Sequence, residues 1–142
     1  MHDTPIGLIP YLTILDGKGD EALDFYERAL GAEVTVRDKG GSMPGGPPPG
    51  GKIIHARMRV NGALVFLSDD FPEWKGGQVS KPPGAVGLHL QVDDVEMWFK
   101  RAVDAGCAVN FPLADQFWGD RFGAVDDPYG HHWSFGQTLA RA

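Results

Sequence analysis

Histidine is the side chain in this sequence best suited to chemistry near neutral pH, because an imidazole can bind a metal ion or exchange a proton. Two of the five histidines, His89 and His132, lie in strand-like segments of the second half of the chain. His89 comes two residues after Gly87, and His132 two residues before Ser134, so strand alternation places each pair on one face. Two imidazoles on facing strands could supply part of a metal site or an acid-base catalyst.

The remaining reactive candidates are weaker. His55, on a strand, and His131, in a turn, are predicted to be surface or turn residues. Asp120 and Arg121 stand at a strand entry, where an ion pair is the more frequent role. Cys107 is the only cysteine, so no internal disulfide can form, and its position after a helix end predicts a small buried thiol rather than a nucleophile.

The composition predicts one soluble globular domain. The chain has 142 residues, of which 42% are hydrophobic and 23% charged. Its formal net charge of −6 disfavours nucleic acid and anionic membranes as partners. The sequence contains neither an apolar run of membrane-spanning length nor a recognisable secretion signal at its amino terminus. We therefore expect a cytoplasmic protein.

The pattern of the first half predicts a strand, a helix and three further strands. A strand at 9–15 is followed by an amphipathic helix from Asp20 to Leu30, which Gly31 ends. The next strands are predicted at 33–37, 53–60 and 63–67, and Asn61-Gly62 forms a tight hairpin between the last two. Ten of the twelve residues 40–51 are Gly or Pro, so this segment is a loop, either a lid or simply flexible.

The second half repeats this order. A strand at 87–92 precedes a helix at 95–105, and three strands are predicted at 108–112, 121–126 and 132–136. The helix segments FYERAL at 25–30 and WFKRAV at 98–103 align residue for residue at an offset of 73, which indicates a faint internal repeat. Each unit covers one face of its sheet with its helix and leaves the other face in need of a partner.

Several motifs resemble those of a known superfamily. The segments PYLT at 10–13, EALDFY at 21–26 and LGA at 30–32 are similar to the opening of a vicinal oxygen chelate module, as found in glyoxalases, extradiol dioxygenases and bleomycin-resistance proteins. WGDRFG at 118–123 and DPYGHHW at 127–133 resemble the closing signature of its PhnB-like branch.

The resemblance implies an α+β fold of two tandem βαβββ modules, at 7–70 and 86–137 with a linker at 71–85. These modules form a curled mixed-sheet half-barrel with a central cavity. Metal-dependent relatives hold a divalent ion inside the barrel, and the resemblance places the four ligand positions on Tyr11 (or Pro10 if the strand slips by one residue), Phe66, Gly87 and Ser134. Because these side chains bind metals poorly or not at all, we expect no metal cofactor. The fallback is an altered site on His89 and His132, with only weak further donors such as Thr13 and Ser68.

The preferred function is therefore a metal-free, homodimeric protein that binds a planar or cationic small molecule. Metal-free acid-base catalysis by His89 or His132 remains conceivable. The alternatives are a metal-dependent lyase, isomerase or dioxygenase with an altered site, and a homodimeric assembly module without a ligand. Trp133 and Phe135 are predicted to pack beneath the second helix, whereas Phe117 and Trp118 border the cavity mouth. The predicted ligand-binding residues are Tyr11, Thr13, Phe66, Ser68, His89, Trp118, Arg121, His132 and Ser134.

Overall fold

The computed structural model describes residues 4–140 and contains two βαβββ modules. The first module consists of β1 (Tyr11–Ile14), α1 (Gly19–Leu30), β2 (Glu33–Asp38), β3 (His55–Val60) and β4 (Ala63–Asp69). Its strands are ordered β1-β4-β3-β2, with β1 and β4 parallel and the other pairs antiparallel. Asn61 and Gly62 have φ angles of 51° and 79°, as the predicted hairpin turn requires.

The second module has the same topology. It consists of β5 (Gly87–Gln91), α2 (Val95–Ala105), β6 (Ala108–Asp115), β7 (Asp120–Asp126) and β8 (His132–Thr138), ordered β5-β8-β7-β6. Between the modules lies a short 3-10 turn, Pro72–Trp74. The predicted α+β fold of two mixed sheets is confirmed.

Strand β6 is longer than the sequence indicated. The sequence pattern predicts its end at Pro112, but the strand continues to Asp115. Among the described residues 4–140, β6 pairs only with β7, so it is an edge strand, and its register shifts around Phe111. Proline is tolerated at edges and bulges, where its missing N–H breaks no pair.

One apolar core lies between the helices and the sheets. On β4, Val65 and Leu67 are buried beneath the helices, whereas Phe66 and Ser68 point to the opposite side of the sheet. The same alternation holds on β8, where Trp133 and Phe135 are buried. Each sheet therefore has a face covered by helices and a second, uncovered face, which we call its open face. No helix within residues 4–140 is long and apolar enough to cross a membrane.

The two modules are joined by a buried polar cluster. Phe135 packs against Trp98 of α2, as predicted, but the Trp133 ring lies 5.7 Å from Tyr26 of α1. Both the Tyr26 hydroxyl and the Trp133 indole N–H donate to Asp127, at 2.6 and 2.8 Å. Both aromatic residues are buried, as predicted for packing residues, and Trp133 in addition contacts the helix of the first module, which the sequence analysis did not predict.

Candidate functional site

The open face of the first sheet carries an aromatic group. The parallel pairing of β1 with β4 sets Tyr11 beside Phe66 and Thr13 beside Ser68. The Tyr11 hydroxyl and His55 Nδ1 are 2.9 Å apart, and the His55 ring lies edge-on to Phe66 with a centroid distance of 4.7 Å. His55, which we predicted to be a surface residue, therefore belongs to the same face as the predicted ligand-binding residues of this module.

A row of polar side chains crosses the open face of the second sheet. His89 pairs with Ser134, and the distance from His89 Nδ1 to Ser134 Oγ is 2.8 Å. The other ring nitrogen of His89 lies 2.8 Å from Gln91 Oε1, and Gln91 Nε2 donates to Thr138 Oγ1 at 3.2 Å. The predicted pair of His89 and Ser134 is thus extended by two residues that the sequence analysis did not select.

His132 belongs to a separate network on the same face. Its Nδ1 forms a hydrogen bond with the Asp126 carboxylate, which also accepts from Asn110 Nδ2 at 3.2 and 3.3 Å. The hydrogen bond to Asp126 raises the pKa of His132, and the same bond lowers the pKa of Asp126. Asp126 is the direct cross-strand partner of His132, which a sequence without a known strand register does not reveal.

The donors on these faces do not fit a divalent metal. The family's four ligand positions, Tyr11, Phe66, Gly87 and Ser134, offer at most hydroxyl groups. Within residues 4–140, no three His, Cys, Asp or Glu side chains are grouped so that they could hold an ion. Both nitrogens of His89 contact neutral side chains, while His132 pairs with Asp126, so the two imidazoles do not converge on one point.

An exposed aromatic cluster borders the polar row. We call this cluster the aromatic platform; its members are Phe111, Phe117, Trp118 and Phe122. The Phe122 ring lies 5.7 Å from Phe111 and 5.8 Å from Trp118, and the His89 ring stacks on it at 5.9 Å with an interplanar angle of 17°. Trp118 is 51% exposed and Phe117 98% exposed. So much exposed aromatic surface is typical of a binding surface.

Arg121, a predicted ligand-binding residue, and Cys107, predicted to be a buried thiol, both lie away from the open faces. Arg121 follows Asp120 on β7 and points to the helix side, where its guanidinium donates to Asp115 at 2.7 Å and to Glu96 of α2 at 2.6 Å. It therefore does not join the open face, and the expected ion-pair role is confirmed. Cys107 is buried, and this burial raises the pKa of its thiol to about 12, which makes it a poor nucleophile.

The architecture and the motifs agree with comparisons to known proteins. The profile of the Glyoxalase/Bleomycin resistance protein/Dioxygenase superfamily matches residues 8–135, and the chain belongs to this superfamily. An uncharacterized protein of Mycobacterium tuberculosis is 45% identical over 136 residues, covering 93% of this chain and 74% of the relative. Protein YjdN of Escherichia coli is 30% identical over 139 residues, covering 89% and 91% of the two chains.

Solved structures show the same fold. Protein PA1353 from Pseudomonas aeruginosa has a TM-score of 0.75 at 25% identity, over 96% of this chain and all of that one. TioX from Micromonospora sp. ML1 has a TM-score of 0.65 at 27% identity, over 94% of this chain and all of that one. Membership of the superfamily leaves the chemistry to be argued from the site.

Proposed function

We propose that this chain is a metal-free binding protein for a planar aromatic small molecule, which it holds on the open face of its second sheet. The observation that carries the proposal is the aromatic platform beside the polar row of His89 and Ser134. Stacking on exposed rings supplies affinity for a planar ligand, and a few polar groups orient it. The motif at 127–133 further supports a place in the PhnB-like branch, and the unpaired cysteine suits the cytoplasm.

One open face alone would bind weakly. A two-ring ligand that covers about 150 Å² of apolar surface gains about 4 kcal/mol from burial, which corresponds to a millimolar dissociation constant. The lost freedom of the ligand reduces this gain further. Tight binding therefore requires a second surface that covers the ligand from the other side.

A second copy of the chain supplies such a surface, and we accordingly propose a homodimer. The open face of the first sheet presents Tyr11 and Phe66, with the Arg57 guanidinium 4.9 Å from the Phe66 ring. Its positive charge complements Asp126 on the second sheet. Ile6 and Leu8, which are 106% and 98% exposed in the single chain, are further apolar side chains that a second copy would cover.

Ligand binding is tested by titrating a panel of planar aromatic compounds, cationic ones included, and following tryptophan fluorescence and calorimetric heat. Trp118→Ala should abolish the fluorescence response and weaken binding. Trp74→Ala is the matched control, because Trp74 is similarly exposed at 55% but stacks on Phe71 in the linker, away from the platform. Absence of binding across the panel, together with a dimer that persists on dilution, would favour the assembly module instead.

The proposal that the protein binds no metal cofactor is tested separately. Protein purified without chelator or affinity tag should contain no stoichiometric metal, and titration with zinc, manganese, nickel or iron should leave its melting temperature unchanged. Stoichiometric metal that disappears in a His89→Ala, His132→Ala double variant would instead support a lyase, isomerase or dioxygenase with an altered site.

A further inference from the structure

The polar row on the second sheet forms a directional chain of hydrogen bonds. Gln91 Nε2 donates to Thr138 Oγ1 at 3.2 Å, which turns the amide oxygen of Gln91 toward His89 Nε2 at 2.8 Å. An amide oxygen can only accept, so His89 carries its proton on Nε2. In the neutral imidazole the other nitrogen, Nδ1, is then an acceptor, and the Ser134 hydroxyl at 2.8 Å donates to it.

This chain of hydrogen bonds determines which hydrogen-bonding group Ser134 presents to a ligand. A hydroxyl has one hydrogen, and that of Ser134 is already directed at His89, so only its oxygen lone pairs remain. Opposite Ser134, the neighbouring strand β7 carries Ala124, whose short side chain leaves the hydroxyl open to approach. The aromatic platform begins next to it, because His89 stacks on Phe122.

We propose that Ser134 is a specificity-determining hydrogen-bond acceptor, so that the bound molecule is a planar aromatic compound with an N–H or O–H donor on its edge. This inference rests on the proposed function, since it assumes that a ligand lies on the aromatic platform. It adds that compounds presenting only acceptors at this edge are discriminated against. A site with fixed acceptors disfavours such compounds because two facing lone pairs cannot form a bond.

Gly136 provides the space that the side chains of this hydrogen-bond chain need. A Cβ atom added at this position would lie 2.8 Å from Gln91 Oε1 and 3.0 Å from His89 Cε1. Gly136→Ala would therefore displace both side chains and weaken the orientation of Ser134, without removing the hydroxyl. This variant separates the role of the hydrogen-bond chain from that of the Ser134 hydroxyl alone.

The test compares indole with benzofuran, two planar compounds of nearly equal shape in which an N–H donor is replaced by an ether oxygen. Binding to the intact protein is measured by calorimetry. Indole should bind about fivefold to tenfold more tightly, the effect of one hydrogen bond. Ser134→Ala should remove this preference by weakening indole alone, and Gly136→Ala should reduce it. Ser80→Ala, the same substitution in the linker, where the hydroxyl donates to Asp70 at 2.6 Å, is the matched control and should retain it.

A nitrogen NMR spectrum provides a measurement independent of any ligand and should show the His89 proton on Nε2. Equal affinities of the intact protein for indole and benzofuran would overturn the inference and leave the proposed function standing. So would a preference for indole that survives in Ser134→Ala, or a His89 proton on Nδ1. If neither compound nor any other planar aromatic binds, the proposed function and this inference both fail.

Discussion

The Asp127 carboxylate should contribute more to the free energy of unfolding than the adjacent Asp126 carboxylate, and Asp127→Asn tests this expectation. Its side chain is 5% exposed and accepts four hydrogen bonds. Oδ1 accepts from the backbone N–H groups of Tyr129 and His131 at 2.8 and 3.0 Å, and Oδ2 accepts from Tyr26 and Trp133. The substitution keeps the shape but replaces one of the two acceptor oxygens by an NH₂ group.

The magnitude follows from the two hydrogen bonds that Oδ2 accepts from Tyr26 and Trp133, of which one can be replaced. An asparagine oxygen can serve only one of the two donor pairs, and a buried donor left without an acceptor costs about 1–3 kcal/mol. If the oxygen keeps the backbone pair, the Tyr26 hydroxyl can turn and accept from the new amide, which leaves the Trp133 N–H as the main loss. We therefore expect the free energy of unfolding to fall by about 1–3 kcal/mol. With a urea m-value of about 2 kcal/mol/M, the midpoint falls by about 0.5–1.5 M.

The assay is equilibrium unfolding in urea, followed by far-ultraviolet circular dichroism and tryptophan fluorescence. Asp126→Asn is the matched control, because Asp126 is the adjacent residue but lies on the open face with 35% of its side chain exposed. It should cost less than about 1 kcal/mol. The reasoning is refuted if Asp127→Asn unfolds within about 0.5 kcal/mol of the unmodified protein, which is the usual range for a surface substitution.

Three further predictions concern other buried groups. Burial, followed by the nearby Asp127 charge, raises the pKa of Tyr26 well above its usual value, so the folded state favours the neutral phenol. That contribution is complete below about pH 10 and is lost as pH rises further, so the alkaline fall in unfolding free energy should be shallower in Tyr26→Phe. Gly19→Ala should cost about 1–3 kcal/mol in urea unfolding, because the new Cβ would lie 2.6 Å from the buried Asp69 carboxylate; an unchanged midpoint would contradict this. Cys107 should react with a thiol reagent at mildly alkaline pH only after urea unfolds the chain, and rapid labelling of the folded protein would show that its burial is wrong.

Strand alternation was enough to predict which residues share a face. It placed His89, His132 and Ser134 together and Trp133 on the opposite side, and the structure confirms both assignments. Glycine positions likewise located the C-terminal end of each helix, at Gly31 and Gly106. These predictions succeed because side-chain direction repeats every two residues along a strand and every 3.6 along a helix.

The partners across strands could not be predicted in this way. Asp126 and Phe122 became site residues only once the register of β7 was known, because a shift of one residue would turn each of them to the other face. The contact of His55 with Tyr11 was missed for the same reason, since it crosses β4. The contact between Tyr26 and Trp133 depends on how two modules dock, which local sequence patterns do not contain.

The hydrogen bonds of the second open face show how the proposed binding surface would keep its shape without metal donors. Carboxylates grouped to hold an ion repel one another when the ion is absent, whereas Ser134, His89, Gln91 and Thr138 satisfy one another with no ligand present. Their side chains are therefore ordered before binding, and a ligand incurs little entropy cost for arranging them. The pre-ordered polar row orients a ligand but attracts it only weakly. Most of the affinity for the proposed ligand must therefore come from stacking on the aromatic platform and from the second surface that excludes water above it.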